Sequence, residues 1–173
     1  MSNGKAVKDL MLDVFEFPHI PYWFTLRQAM GIVKKSLLTD EKCHRPMAIL
    51  VFDEKYNLLG TLSLKDILRG LEPKFLKPTT KAQVPAEDES GLSLLWDTLF
   101  SKETKETAER PVSEAMVPTK FFLQPNDPIT KAAYLMVHND LVLLPVLEGK
   151  KKFVGLVRMI EVFNEISDAV LSA

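Results

Sequence analysis

The sequence predicts a mixed α/β fold (α+β type) built from two duplicated repeats, and three observations support this prediction. Apolar runs of strand length, Met47–Phe52 and Leu58–Leu62, are separated by the turn-forming stretch Asp53–Asn57. The second run passes directly into the helix-forming residues Lys65–Arg69. The same pattern of strand, turn, strand and helix returns over residues 143–163. Such self-similarity indicates an internal duplication, which sets the expected order of the elements.

Matched positions in the two repeats define the duplication. Three pairs at one constant spacing cover the end of the second strand and the following helix: Gly60 with Gly155, Ser63 with Arg158, and Asp66 with Glu161. The openings match as well, because Val7–Met11 and Val112–Met116 share a Val-x-acid-x-Met pattern. We therefore predict a first repeat over residues 1–72, a connector over 73–110 and a second repeat over 111–173. Each repeat alone is too small for a robust core, but the two together can share a sizeable one.

Composition and charge narrow the classes of function. The chain has 173 residues, of which 46% are hydrophobic and 26% charged, as in ordinary globular proteins. A formal net charge of −1 gives no electrostatic case for nucleic acid or for an anionic membrane surface. No apolar stretch approaches the roughly 20 residues of a membrane span, and the N-terminus has no apolar signal-peptide core, so we expect a cytoplasmic protein. The single cysteine, Cys43, excludes an intramolecular disulfide and a multi-cysteine zinc site.

The first repeat is expected to run as helix, short strand, helix, strand, strand and helix. Residues 5–16 have helical spacing and predict a short helix, whereas the proline-rich residues 17–21 predict an extended segment. Thr25 is a suitable N-cap for a helix that reaches about Leu37. The apolar positions of this helix are expected to face inward: Leu26, Ala29, Met30, Val33 and Leu37. Gly70 offers a stop for the last helix.

The connector and the second repeat complete the predicted order. Pro73, Pro78 and Pro85 break regular structure, and an amphipathic helix is expected over residues 91–103. Its apolar stripe is expected either on the core of the protein itself or against a partner: Leu92, Leu95, Trp96, Leu99 and Phe100. The second repeat is expected to contain a helix over 112–117, a short strand over 121–123, a helix over 129–138 and a strand over 141–147. A final strand and helix follow.

The duplicated unit resembles a tandem pair of cystathionine β-synthase (CBS) domains, also called a Bateman module. The resemblance rests on the two Val-x-acid-x-Met openings, the Leu144–Val146 strand and the Gly-x-x-Ser-x-x-Asp signature of Gly60, Ser63 and Asp66. It covers most of the chain and leaves only the connector outside. The resemblance implies two α/β repeats packed through their sheets about a pseudo-two-fold axis. It also implies a homodimer.

The resemblance further implies a regulatory module that binds an adenosine-containing ligand, such as AMP, ADP, ATP or S-adenosylmethionine, between its repeats and signals to an effector protein. In that family the Ser/Thr and Asp of the signature hydrogen-bond the ribose hydroxyls, which points to Ser63 and Asp66. A carboxylate accepts from both hydroxyls of a cis-diol, and such charge-assisted bonds are about twice as strong as neutral ones. The positions expected to complete the site are Thr61, Lys120, Phe122, Leu141, Val142 and Arg158. The basic candidates for a phosphate are Arg45, Lys120 and Arg158, whereas the three apolar residues are equally typical of a core without a ligand.

Three alternatives stay open at this point. Ser63 and Asp66 also fit a capping box, with Ser63 as N-cap and Asp66 at the third helical position, and that role needs no ligand. In the second repeat, Arg158 either pairs with Glu161 three residues on or reaches a phosphate. If no nucleotide binds, the chain is an interaction module that dimerises or docks a partner. The sequence contains no nucleophile–base set, metal cluster or phosphate-binding glycine loop, so we predict no enzymatic activity.

Overall fold

Both repeats combine helices and strands in the computed structural model, which describes residues 4–39, 48–72 and 102–172. The first repeat contains β1 (His19–Pro21), α1 (Leu26–Thr39), β2 (Ala48–Phe52), β3 (Leu58–Ser63) and α2 (Leu64–Leu71). The second is preceded by α3 (Lys102–Thr107) and contains β4 (Val117–Pro118), α4 (Ile129–Asn139), β5 (Leu143–Glu148), β6 (Lys152–Arg158) and α5 (Met159–Leu171). The predicted α/β class is confirmed. The apolar stripe predicted for the connector, with Trp96 and Phe100, lies outside the described residues.

One sheet has four strands in the order β1-β2-β3-β4. All five residues of β2 are buried, which explains the uninterrupted apolar sequence of this strand. Both edge strands end on a proline, Pro21 and Pro118. A missing N–H group is tolerated at a sheet edge because it removes no bond from the interior of the ladder.

A second sheet forms from β5 and β6, which pair antiparallel with Pro145 opposite Leu156. Single-residue bridges extend it on both sides. Leu123 forms a parallel bridge with Val146 of β5, and Leu12 forms an antiparallel bridge with Leu156 of β6. Leu12 N donates to Leu156 O at 2.8 Å, and Leu156 N donates to Leu12 O at 3.1 Å. The short strand predicted over 121–123 is therefore reduced to a bridge at Leu123.

The chain divides into two compact units, each with its own cluster of buried apolar residues. Unit 1 comprises Met1–His19, Phe52–Leu59 and Pro118–Ala173, and unit 2 comprises Ile20–Val51 and Gly60–Val117. The opening of each repeat packs in the unit that consists mainly of the other repeat. In unit 1, Val7 N donates to Asp127 O at 2.9 Å, and in unit 2, Val112 N donates to Phe24 O at 2.7 Å. Each core thus contains residues of both repeats.

The helices predicted for the two openings are wrong. Residues 5–16 form two single helical turns, Val7–Asp9 and Val14–Glu16, and residues 112–117 form one turn followed by β4. The helical spacing of the apolar residues is real, since Val7 is buried. Leu12, however, bonds to Leu156 through both its N–H and its C=O, which requires extended backbone. Tertiary pairing therefore overrides local helical preference.

The prediction for α1 is largely confirmed. Thr25 caps it: Thr25 Oγ1 accepts from Gln28 N at 3.2 Å, and Gln28 Oε1 accepts from Thr25 N at 2.9 Å. Three of the predicted inward positions are buried: Leu26, Ala29 and Val33. Met30 is 41% exposed, which contradicts its predicted inward orientation, because it lies to one side of the stripe formed by Leu26, Ala29 and Val33.

Gly70 does not stop α2, which continues to Leu71. A Cβ atom at Gly70 would lie 2.9 Å from both Ala115 Cβ and Leu26 Cδ1, so the residue permits close packing in unit 2. None of the helices in the described part of the chain has the length and apolar character needed to span a bilayer.

Asp127 holds the turn that leads into α4. Its Oδ2 accepts from Gln124 N at 2.7 Å and lies 2.6 Å from Lys131 Nζ. Burial raises the pKa of the Asp127 carboxyl, whereas the hydrogen bond from the Gln124 amide and the Lys131 ammonium lower it. The two lowering effects together outweigh burial, so the pKa lies below its ordinary value of 3.8. A carboxyl whose pKa is lower in the folded state stabilises the fold above its unfolded pKa, and this contribution is lost as the pH falls through the folded pKa.

We expect Asp127→Ala to lower the free energy of unfolding by about 1.5–3 kcal/mol at pH 7, because the Gln124 amide loses its charged acceptor. The loss should be smaller at about pH 2.5, because this pH lies below the ordinary pKa of 3.8 and the contribution of the carboxyl declines from there towards its folded-state pKa. Urea denaturation at both pH values measures the difference, and Asp127→Asn, which keeps an acceptor for the Gln124 amide, should cost less. Equal losses at the two pH values would contradict this assignment.

Candidate functional site

The junction of β3 and α2 in unit 2 holds the Ser-x-x-Asp pair of the first repeat. Ser63 is the last residue of β3 and the N-cap of α2, with extended backbone. Its Oγ accepts from Asp66 N at 3.2 Å and donates to Asp66 Oδ2 at 2.6 Å. Asp66 Oδ2 also accepts from Ser63 N at 2.9 Å. The capping box that the sequence left open is therefore present.

Asp66 is the one charged residue that is buried in the described part of the chain, with 5% of its surface exposed. Burial of a charge is costly unless the group is paired. Here Oδ2 takes both Ser63 donors, and Oδ1 lies 3.2 Å from Nη1 of Arg69, whose side chain is 53% exposed. A carboxylate offers about four acceptor positions, so one position on Oδ1 stays open beside a half-exposed guanidinium.

The equivalent junction of β6 and α5 in unit 1 is built differently. Arg158 is the N-cap, and its N–H donates to Glu161 Oε2 at 3.0 Å. Arg158 Nε donates to Glu161 Oε1 at 3.0 Å and to Oε2 at 3.1 Å, and Nη2 donates to Oε1. The two side chains are only 14% and 17% exposed. Of the two alternatives, the structure has the pair with Glu161.

The other predicted site residues lie as follows. In unit 2, Thr61 is half-buried in β3. In unit 1, Lys120 is exposed and Phe122 is half-buried, both just before the bridge residue Leu123. Arg45, the remaining predicted candidate for a phosphate, lies outside the described residues.

Leu141 and Val142 lie beside the start of α5 in unit 1. Leu141 is half-buried and donates its N–H to Met136 O at 3.0 Å, whereas Val142 is 50% exposed. Val142 O accepts from Met159 N at 2.8 Å, and the next residue, Leu143, is the strand partner of Arg158. Within unit 1, the structure therefore brings Val142 next to Arg158.

Two polar residues of interest were not among the predicted site residues. Arg69 contacts Asp66, and its position three residues later on a helix is a spacing that favours such a pair. Thr119 Oγ1 is buried without a hydrogen-bond partner among the described residues, while Thr119 N donates to Leu59 O at 3.1 Å. No local pattern marks Thr119, because its isolation depends on tertiary packing. Among the residues that the structure describes, no three His, Cys, Asp or Glu side chains are grouped as a metal ion requires.

Comparison with known proteins identifies the fold. Residues 112–168 match the model of the CBS domain family. No curated protein sequence matches the chain. A CBS domain-containing protein from Bacillus anthracis is similar in structure, with a TM-score of 0.68 and 20% identity, over 95% of this chain and 94% of that one.

Two further solved structures contain adenosine compounds. CBSX2 in complex with AMP, a protein of Arabidopsis thaliana, has a TM-score of 0.65 and 16% identity, over 96% of this chain and 99% of that one. The CBS domain pair of MJ0100, in complex with 5′-methylthioadenosine and S-adenosyl-L-methionine, has a TM-score of 0.63 and 14% identity, over 96% of this chain and 98% of that one. At these identities the likeness concerns the fold, which is that of a CBS-domain pair over nearly the whole chain.

Proposed function

We propose that this protein, in which residues 112–168 are a CBS domain and the whole described chain has the fold of a CBS-domain pair, is a non-catalytic regulatory module that binds an adenosine-containing ligand. Ser63 and Asp66 are the residues that we assign to its ribose. The observation that carries the proposal is the buried carboxylate of Asp66 with an acceptor position open on Oδ1. The adenosine compounds bound by CBSX2 and by MJ0100 support the class of ligand.

Energetics favour exchange of Arg69 for a ribose hydroxyl at Asp66. The Arg69 side chain is 53% exposed and regains water when it leaves Asp66, whose own side chain is 7% exposed. A ribose hydroxyl then takes the place of Arg69, and a hydrogen bond to a charged acceptor contributes about 1.5–3 kcal/mol. The capping bonds to Ser63 need not break because they use Oδ2.

Further ligand contacts are proposed on the resemblance alone. An apolar wall for adenine and a cation for a phosphate are assigned to Phe122, Leu141, Val142 and Lys120, with Thr61 beside the signature. Thr119, whose Oγ1 is buried and unpaired among the described residues, directly precedes Lys120 in the chain.

A homodimer forms the second part of the proposal, and exposed apolar side chains at equivalent helix positions support it. Leu64 and Leu68 of α2 are 40% and 63% exposed, and Met159 and Phe163 of α5 are 39% and 63% exposed. In each helix they are the first and the fifth residue after the N-cap. Large apolar groups repeated in this way are typical of an interface rather than of scattered surface residues.

We expect Phe163→Glu to shift the protein from dimer to monomer, because a carboxylate would have to be buried in the interface without a partner. Light scattering combined with size-exclusion chromatography measures the mass. Phe15→Glu is the matched control, since Phe15 is 86% exposed and lies outside the helices that the proposal uses. A dimer that persists in Phe163→Glu, or a wild-type monomer, would contradict the dimer proposal.

Thermal denaturation with and without ligand tests the proposed function. The protein is first stripped of bound nucleotide and then heated with AMP, ADP, ATP or S-adenosylmethionine. A ligand present at about 100 times its Kd is expected to add about 2.7 kcal/mol to the free energy of unfolding. If none of the four changes the midpoint at millimolar concentration, the ligand-binding proposal is wrong and an interaction module remains.

A further inference from the structure

We infer that Arg158 closes the β6–α5 junction to a ribose, so that each chain binds one adenosine ligand rather than two. The inference rests on the proposed function, because it concerns the second copy of the same signature. It assigns Arg158 a specific role: its side chain occupies the place that ligand hydroxyls would take on the Glu161 carboxylate.

The hydrogen bonds of Glu161 carry the argument. Its Oε2 accepts from the Arg158 amide, its Oε1 accepts from Nη2, and the single Nε–H of Arg158 is shared between the two oxygens. All three donors belong to one residue, whose guanidinium lies against both carboxylate oxygens. The Asp66 carboxylate differs, because the side chain of Arg69 contacts Oδ1 alone and leaves one acceptor position there open.

The arginine partners of the two carboxylates also differ in how far they are buried. The side chains of Arg158 and Glu161 are 14% and 17% exposed, whereas Arg69 at the other carboxylate is 53% exposed. Separation of a mostly buried ion pair leaves charges without partners and costs more than a ligand hydroxyl returns. Separation of the Asp66–Arg69 pair costs less, because the half-exposed Arg69 regains water and Asp66 keeps its two bonds from Ser63. A ribose can therefore displace Arg69 but not Arg158.

The backbone holds Arg158 in its closed position. Arg158 lies opposite Leu143 in the β5–β6 ladder, and the amide of the next residue, Met159, donates to Val142 O at 2.8 Å. Glu161 is one methylene longer than aspartate, so its carboxylate reaches the planar guanidinium, which favours paired bonds of this geometry. Both departures from the first repeat, Arg158 for serine and Glu161 for aspartate, thus serve one closed pair.

Reciprocal exchange of the two signatures tests the inference. The double variant R158S/E161D gives the second junction the residues of the first, and S63R/D66E gives the first junction the residues of the second. Isothermal titration with AMP as the probe is expected to give one site per chain for the wild type and two for R158S/E161D. Adding Asp66→Ala to R158S/E161D should leave one site. S63R/D66E should lose at least about tenfold in affinity.

The outcomes separate the inference from the proposed function. One site in both the wild type and R158S/E161D overturns the inference and leaves the proposed function intact, and two sites in the wild type also overturn it. No site in the wild type but one in R158S/E161D supports closure by Arg158 and rejects ligand binding at Asp66. No binding by either protein overturns both. If R158S/E161D does not fold by circular dichroism, S63R/D66E decides, and unchanged AMP affinity in that variant overturns the inference.

Discussion

The Gly155→Ala variant is expected to lose about 2–4 kcal/mol of its free energy of unfolding. A Cβ atom at this position would lie 2.7 Å from Leu12 O and 3.1 Å from Met11 Sδ. The methionine can move, but Leu12 O accepts the hydrogen bond of Leu156 N at 3.1 Å and belongs to the bridge that extends the second sheet. The methyl group must therefore either strain β6 or break this bridge, and in both cases the opening of the first repeat loses its attachment in unit 1.

Urea denaturation monitored by circular dichroism measures this loss. Gly31→Ala is the matched control, because Gly31 lies inside α1 and a Cβ atom there would meet nothing within 4 Å beyond its chain neighbours and the backbone of its own helix. That variant is expected to gain about 0.5–1 kcal/mol, since alanine favours a helix interior over glycine. A Gly155→Ala protein as stable as the wild type would contradict the proposed close approach of Leu12.

Asp66→Ala is expected to weaken binding of the adenosine ligand by about 10- to 100-fold, which corresponds to loss of a hydrogen bond to a charged group. The variant also loses the capping box of α2 and about 1 kcal/mol of stability, so affinity must be compared at a temperature where it is fully folded. Asp66→Asn keeps an acceptor but not the charge, and an intermediate affinity is expected.

Asp127→Ala controls for a general loss of stability in the Asp66 experiment. It removes a carboxylate that also accepts from a backbone amide, but Asp127 is not among the proposed ligand contacts. Its affinity for the ligand should equal that of the wild type. Wild-type affinity in Asp66→Ala would show that this carboxylate serves the helix cap alone.

Elements whose order depends on local pattern were predictable from the sequence. The cap of α1 at Thr25, the β5–β6 hairpin and the Ser63–Asp66 box follow from residues that are close along the chain. The helix predicted over residues 5–16 failed because Leu12 bonds to Leu156, a partner that no local window contains. Gly70 was misread for the same reason: it permits packing against Leu26 and Ala115 rather than ending a helix.

The residues of the candidate site also differ in whether the local sequence could predict their contacts. Arg158 and Glu161 pair at the spacing that the sequence suggested, and Arg69 beside Asp66 could have been found from its position on the helix. The unpaired Thr119 hydroxyl could not, because only packing makes it inaccessible. Ligand contacts at Phe122, Leu141, Val142, Lys120 and Thr61 remain predictions.

The central claim, that the Asp66 carboxylate receives ribose hydroxyls, is tested most directly by a cycle that removes each partner in turn. Affinities are measured for AMP and for 2′,3′-dideoxy-AMP, with the wild type and with Asp66→Ala. The wild type is expected to prefer AMP by about 10- to 100-fold, and Asp66→Ala should bind the two compounds nearly equally. Equal binding of both compounds by the wild type, or the same preference in Asp66→Ala, would contradict the claim.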